Sequence, residues 1–301
     1  VVDAVKEAVD GGSTFFVTNH RAVMLAEEVV RAVPCADQVR FTTSGTEANF
    51  QALRVARAFR QKDKILKFEG GYHGTSDYTL ISVTPEKSAD YLQPVPNTAG
   101  IPRAVQDLVL IAPFNDAETA ASIIDEHHRE LAAVIMEPLQ RLIPPRPGFL
   151  QSIRDVTALH GIPLIFDEVV TGFRLAYGGA QNYYGVIPDL ATYGKILGGG
   201  YPLAAVCGRE DIMSVYDIAQ AGPGGFVNQV GTLNANPISC AAGLATLAEL
   251  RKDGVYEKLH AIGRKVRKGL QQVCDEAKIP AQVLGEDCVF DVYFTDRPIF
   301  D

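Results

Sequence analysis

Three short stretches carry residue types that belong together chemically. The first is Phe41-Thr42-Thr43-Ser44-Gly45-Thr46-Glu47-Ala48-Asn49, where a strand-like run passes through Ser-Gly-Thr into helical spacing. Free backbone N–H groups at a helix start bind anions. The hydroxyls of Ser44 and Thr46 add donors, and Gly45 lets a phosphate come close to the backbone. An ordinary helix N-cap without any ligand has the same look. The second stretch is Leu164-Ile165-Phe166-Asp167-Glu168-Val169, an apolar strand ending in a carboxylate. A cofactor with a pyridine nitrogen needs such an anion beside it, and Val169 could pack on the ring face. A metal-binding or capping aspartate is the alternative. The third is Thr192-Tyr193-Gly194-Lys195-Ile196-Leu197-Gly198-Gly199-Gly200. A partly desolvated lysine is a natural nucleophile for an aldehyde, and nearby glycines let a flat ring lie against the backbone. The other reading is a lysine on a surface loop. This run is neither a Walker loop nor a G-x-G-x-x-G dinucleotide fingerprint.

The elements that must carry these residues alternate along the first 250 residues or so. Strands are expected at Gln38 to Thr43, Lys64 to Phe68, Leu108 to Ala112, Ala132 to Met136, Pro163 to Phe166 and Leu203 to Cys207, with a further one leading into Lys195. Helical spacing marks Thr46 to Phe59, Ala117 to His128 and Leu150 to His160. Leu131 to Met136 is apolar throughout, as in a strand covered on both faces. The pattern predicts an α/β fold with a mainly parallel sheet and helices on both sides. Ligands collect at the carboxyl ends of such strands, where all three stretches fall. Residues 1–253 are expected to form the large domain, with an N-terminal connecting helix. Residues 254–301 would begin a smaller, incomplete C-terminal α/β domain. Its expected parts are a basic helix from about Val255 to Ala277 and a strand around Val289 to Phe294. Helix Ile238 to Leu250 precedes it. The Pro-rich stretch from Tyr91 to Arg103 has the look of a long surface loop, often a functional kind. The chain lacks an initial methionine and stops after a strand-like run, which suggests that both ends are cut.

Taken together, these motifs resemble the class III (ornithine-type) aminotransferases of pyridoxal-5′-phosphate (PLP) fold type I, and among them the glutamate-1-semialdehyde 2,1-aminomutase-like members. The likeness runs through Ser44-Gly45-Thr46-Glu47-Ala48, Gly70-Gly71-Tyr72-His73-Gly74 and Met136-Glu137-Pro138. It continues through Phe166 to Arg174, Tyr177 to Gln181, Gly194 to Gly200 and Gly231 to Pro237, in the family's order and over nearly the whole chain. The resemblance implies a large domain with a seven-stranded type of sheet. Lys195 would form the Schiff base and shuttle the proton, and Asp167 would hold the pyridinium proton. Ser44, Gly45 and Thr46 would grip the phosphate, with Tyr72 and Val169 on opposite ring faces. Glu137 would face the cofactor's oxygen side or the substrate pocket. Thr232 would reach the phosphate of a neighbouring subunit in a homodimer. His73 is expected to be structural and satisfied, His127-His128 solvated, and Arg174 either a substrate-carboxylate ligand or a turn buttress.

The activity so implied is transfer of an amino group between an amine or amino acid and a keto or aldehyde acceptor, through pyridoxamine phosphate. Intramolecular transfer, as in an aminomutase, is the alternative; Tyr201 to Ala205 and Asn234 to Asn236 depart from the aminomutase pattern. A PLP racemase or decarboxylase would keep all the same residues. A lysine-less scaffold protein is disfavoured because Lys195 and Asp167 are both present. The 301 residues carry a net charge of −8 without a dense basic stripe, which argues against nucleic acid. Five scattered cysteines form no C-x-x-C pair, so no zinc or other metal site is expected and the thiols suit a reducing, cytoplasmic setting. No apolar run has membrane-spanning length.

Overall fold

The computed structural model describes residues 1–15, 17–84 and 93–300. Tyr91 and Leu92, the start of the expected Pro-rich loop, lie outside the described residues. The strands are β1 (Gln38–Thr42), β2 (Lys64–Phe68), β3 (Val109–Ala112), β4 (Leu131–Met136), β5 (Leu164–Asp167), β6 (Leu190–Tyr193), β7 (Ala204–Gly208), β8 (Gln282–Glu286) and β9 (Val289–Tyr293). The helices are α1 (Val2–Asp10), α2 (His20–Ala32), α3 (Gly45–Arg60), α4 (Arg103–Gln106), α5 (Ala117–His127), α6 (Phe149–Leu159), α7 (Gly179–Tyr184), α8 (Glu210–Met213), α9 (Pro237–Leu250) and α10 (Val255–Glu276).

Among the described residues, one seven-stranded sheet has the order β1-β7-β6-β5-β4-β2-β3. The run β6-β5-β4-β2-β3 is parallel throughout. Only β7 is reversed, pairing antiparallel with both β6 and β1. Alternate strand residues feed two separate cores, one per sheet face. Ile65, Val109, Ala133, Ile135, Ile165 and Val206 pack with Leu53 and Val55 of α3. Leu66, Leu110, Val134, Met136, Leu164 and Phe166 pack with Leu25 and Val29 of α2, Ile124 of α5, Ile153 of α6 and Leu247 of α9. Covering both faces explains why β4 is apolar throughout.

Helix α3 starts at Gly45, directly after Ser44, because a reciprocal cap fixes the turn. Ser44 Oγ accepts from the Glu47 N–H at 3.2 Å, and Glu47 Oε2 accepts from Thr43 N and Oγ1 at 2.9 and 2.7 Å. The two acidic residues ending β5 part company. Glu168 turns into the core, where it is fully buried and accepts from the amides of Ala180 and Gln181, from Gln181 Nε2, and from Thr171 and Tyr193 hydroxyls. Asp167 faces the other way.

At the C-terminal end, α10 and the β8–β9 hairpin follow α9, and the hairpin is a sheet of its own. Strand β8 was not among the expected strands. Gly285 sits at φ +116 in it, and the polar-apolar mixture Gln-Val-Leu-Gly-Glu hides its strand character. The hairpin is tied to the main body by Tyr183 and Tyr184, whose hydroxyls donate to Glu286 at 2.8 Å each. None of the described helices is long and apolar enough to cross a membrane.

Candidate active site

The three chemical stretches meet at the carboxyl edge of the sheet. A cavity of about 190 Å³ is lined by Gly45, Thr46, Asn49, Tyr72, Gly74, Glu137, Asp167, Val169, Val170 and Lys195. Seven of the nine residues singled out from the sequence are therefore neighbours here. Of the other two, Ser44 adjoins the cavity but engages its hydroxyl in capping α3. Thr232 lies apart, exposed on an open hollow of about 760 Å³ that it shares with Phe15, Val17, Arg40 and Phe41.

Asp167 is the best-held group in the cavity. Its Oδ2 accepts from Asn49 Nδ2 at 2.8 Å and from His73 Nδ1 at 2.9 Å, and its Oδ1 accepts from Val169 N at 3.1 Å. Thr192 Oγ1 in turn donates to Asn49 Oδ1 at 2.6 Å. A carboxylate immobilised by three donors has a fixed position and direction before any ligand arrives. His73 is fully buried, and burial pushes its imidazole below the ordinary value against the opposing pull of Asp167. The expectation of a fully satisfied histidine is corrected at one atom, since Nε2 has no partner among the described residues.

Lys195 departs from expectation as well. It lines the cavity but is an exposed residue, because its apolar neighbours bury Leu197 and Gly198 rather than the lysine. Its backbone sits at φ 43, in the left-handed region that a non-glycine residue rarely adopts. Such local strain is kept where a side chain must point in a particular direction. Tyr72, also lining the cavity, is 43% exposed and so is not a core aromatic.

Glycine shapes the opposite wall. A Cβ on Gly45 would lie 2.9 Å from Val169 Cγ2, and one on Gly194 would lie 3.3 Å from Val169 Cγ1. Val169 is thus gripped between two bare stretches of backbone. At the start of α3, the amides of Gly45 and Thr46 precede the first intrahelical bond. A slot with helix-start amides, a fixed carboxylate and a primary amine fits a flat, phosphate-bearing aromatic aldehyde.

Glu137, in the cavity lining, continues into a buried polar region with Lys67. Glu137 accepts from Tyr72 N at 2.8 Å, and burial, reinforced by the charge of Asp167, pushes it up to about 8. Lys67 is fully buried inside β2, and burial lowers it to about 7. Its Nζ donates to Ile81 O at 2.6 Å, pinning the segment that follows the Gly-Gly-Tyr-His-Gly loop. Sequence reasoning passed over Asn49, Thr192 and Lys67. The signal for each was a polar side chain at a position whose neighbours are all buried. Arg174 does not line the cavity; its amide closes the turn on Thr171 O at 3.0 Å and its charge acts on Tyr256 and Cys288. The charge of Arg141, by contrast, acts on Glu137. The five cysteines are free thiols.

The family described as "Aminotransferase class-III" matches residues 1–298. A glutamate-1-semialdehyde 2,1-aminomutase of Methanococcus maripaludis is 42% identical over 302 residues, covering 99% of this chain and 69% of that protein. The enzyme of the same name from Methanothermobacter thermautotrophicus is 44% identical over 303 residues, with the same coverage. Among solved structures, an omega-transaminase from Sphaerobacter thermophilus superposes with a TM-score of 0.93 at 39% identity, covering 99% of this chain and 68% of that one. A further match carries the description "Transaminase with PLP bound", at 31% identity with a TM-score of 0.89. The chain belongs to the class III aminotransferases, PLP-dependent enzymes of fold type I.

Proposed function

We propose that this chain transfers an amino group from an amine or amino acid to a keto or aldehyde acceptor, with Lys195 and Asp167 as its central groups. The observation that carries this reading is the meeting of Lys195, Asp167 and the start of α3 in one small cavity. The amides of Gly45 and Thr46, with the Thr46 hydroxyl and the neighbouring Ser44, would hold the phosphate at the positive end of α3. Asp167 would accept the pyridinium N–H, its direction set by Asn49, His73 and Val169. Tyr72 and Val169 would confine the ring from either side. When bound, the cofactor supplies an electron sink for negative charge at the substrate carbon. Lys195 Nζ would anchor the cofactor through its aldehyde and would take and return the proton at the substrate carbon. Glu137, pushed toward its protonated form, would present a hydrogen-bond donor to a cofactor or substrate oxygen.

The proposal includes a homodimer in which Thr232 reaches the partner's phosphate. Its support is the exposure of Val17, Val230 and Leu233 around that loop, an apolar patch that invites a partner. It also includes a cytoplasmic location and a division near residue 253, the latter supported by the separate hairpin sheet. A second reading, intramolecular transfer as in an aminomutase, is favoured by the names of relatives 42% and 44% identical.

Absorbance spectroscopy tests the first step. Purified protein should show a near-visible band that borohydride removes while fixing a pyridoxyl group on Lys195. Loss of the band with an amine donor and its return with a keto acid would support intermolecular transfer. Isomerisation of glutamate-1-semialdehyde without any added acceptor would instead support the aminomutase. A protein that takes up no cofactor would overturn both.

A further inference from the structure

Three side chains with metal-binding donors converge where α5 and α6 end. Asp125 and His128 are three residues apart at the end of α5, and His160 caps the C-terminus of α6. One donor atom from each residue lies within 4.8 Å of the other two. Asp125 Oδ1 stands 2.8 Å from His160 Nε2. The two imidazoles stack with centroids 4.2 Å apart and planes inclined by 18°. The expectation of a simply solvated His127-His128 pair is therefore corrected, because only His127 turns aside, to Glu130 at 3.1 Å.

Several features beyond proximity prepare this cluster for a cation. His128 Nδ1 donates to the Asp125 carbonyl at 2.5 Å, which fixes the tautomer and leaves Nε2 with its lone pair. That is the usual outer arrangement of a metal-bound histidine. Arg60 reaches across from α3 and donates to the carbonyls of both His128 and His160, at 3.2 and 3.1 Å. One guanidinium thus pins the backbones of two candidate ligands from different helices. Both helices also present their C-terminal, partially negative ends here.

We propose that Asp125, His128 and His160 form a binding site for a borderline divalent transition metal of the zinc or nickel type. Two imidazoles and one carboxylate suit such ions, which bind these donors at about 2.0–2.2 Å. The ion replaces the proton shared between Asp125 Oδ1 and His160 Nε2, and water fills the remaining positions. Asp125, its side chain 67% exposed, is free to swing, and one imidazole must turn out of the stack so that both ring planes contain the ion. Strands β4 and β5 begin a few residues after His128 and His160, so the ion would tie α5 to α6 at the sheet edge opposite Glu137 and Asp167. Its role would be a cross-link between two helices rather than chemistry on the substrate.

The test uses the cofactor-loaded protein, stripped with a chelator, dialysed and titrated with Zn²⁺ alone, then with Co²⁺ for its visible spectrum. We expect one ion bound per chain and a raised melting midpoint. His160→Ala and Asp125→Asn should each weaken binding by about tenfold or more and remove the thermal shift, while leaving amino-transfer activity unchanged. Asp125→Asn alters an exposed side chain, so it keeps the test decisive if His160→Ala folds poorly. Absence of stoichiometric binding, or equal affinity in wild type and Asp125→Asn, would overturn the proposal.

Discussion

Asn49 and Asp167 stand 118 positions apart in the chain, yet Asn49 Nδ2 donates to Asp167 Oδ2 across 2.8 Å. The bond joins α3, just past its first turn, to the end of β5. In the proposed reading, this one side chain would register the two ends of a rigid ligand against each other.

Asp167→Asn should still bind cofactor but lower the rate of proton transfer by about 10³-fold, equivalent to about 4 kcal/mol. Asn49→Ala leaves the carboxylate in place but frees its direction, so a smaller loss of about tenfold is expected. Single-turnover kinetics separate the two. A normal rate in Asp167→Asn would contradict the proposed role of the carboxylate.

Lys195→Ala removes both the amine and the proton carrier. Turnover should fall by at least about 10⁴-fold, since each role alone is commonly worth about 10²–10⁴. The variant should still fold, because Lys195 is exposed and its replacement leaves no hole in either core. Circular dichroism together with the assay checks both statements.

Gly45→Ala places a methyl 2.9 Å from Val169 Cγ2. Val169 cannot retreat freely, because Gly194 bounds its other side. Overpacking of this kind costs about 1–3 kcal/mol, so cofactor affinity should fall by about tenfold or more. The double variant Gly45→Ala/Val169→Ala should recover part of that loss. Independent, additive effects in the cofactor titration would show that the contact does not couple the two residues.

Glu137 and Lys67 impose opposite pH dependences on stability. Burial raises Glu137 to about 8 from an ordinary value near 4.5, so the folded chain holds that proton more tightly than the unfolded one. Its contribution is fully present at low pH and is lost as pH rises from about 4.5 through 8. Lys67, lowered to about 7, penalises the fold at low pH, and that penalty fades as pH rises from about 7 toward 10.5. Glu137→Gln should remove the first trend and push the Lys67 trend to lower pH, since the Glu137 charge holds Lys67 up. At pH 9 the variant should exceed wild type in stability, by on the order of 2 kcal/mol. Melting midpoints from pH 5 to 9 read this directly, and parallel curves for the two proteins would refute it.

Much of the site could be read from the chain before folding was considered. A doubly covered parallel sheet makes its strands apolar throughout, so Leu131 to Met136 and Leu164 to Asp167 declare themselves, and whatever polar residue ends such a strand faces the ligand edge. Asp167 was legible for that reason, whereas Glu137 entered only through likeness to the family. Lys195 was legible as a residue but not as an environment. Apolar neighbours suggested burial, whereas the left-handed backbone at Lys195 carries the side chain to an open rim. Contacts across long separations were not legible at all. No local pattern says that His73 and Asn49 both turn to Asp167, or that Arg60 bridges the carbonyls of His128 and His160. Thr232 entered only through likeness, and its loop lies away from the cavity of its own chain.

The opposed directions of Asp167 and Glu168 leave β5 little tolerance for a shift along its axis. Side chains alternate across a sheet, so sliding this strand by one position would turn each carboxylate to the opposite face. Glu168 would then face the cavity, and Asp167 would turn to the core face at the place of Phe166, away from Asn49 and His73. The buried glutamate thus acts as a key that only one threading of β5 can turn, and the aspartate beside it inherits its address from that lock.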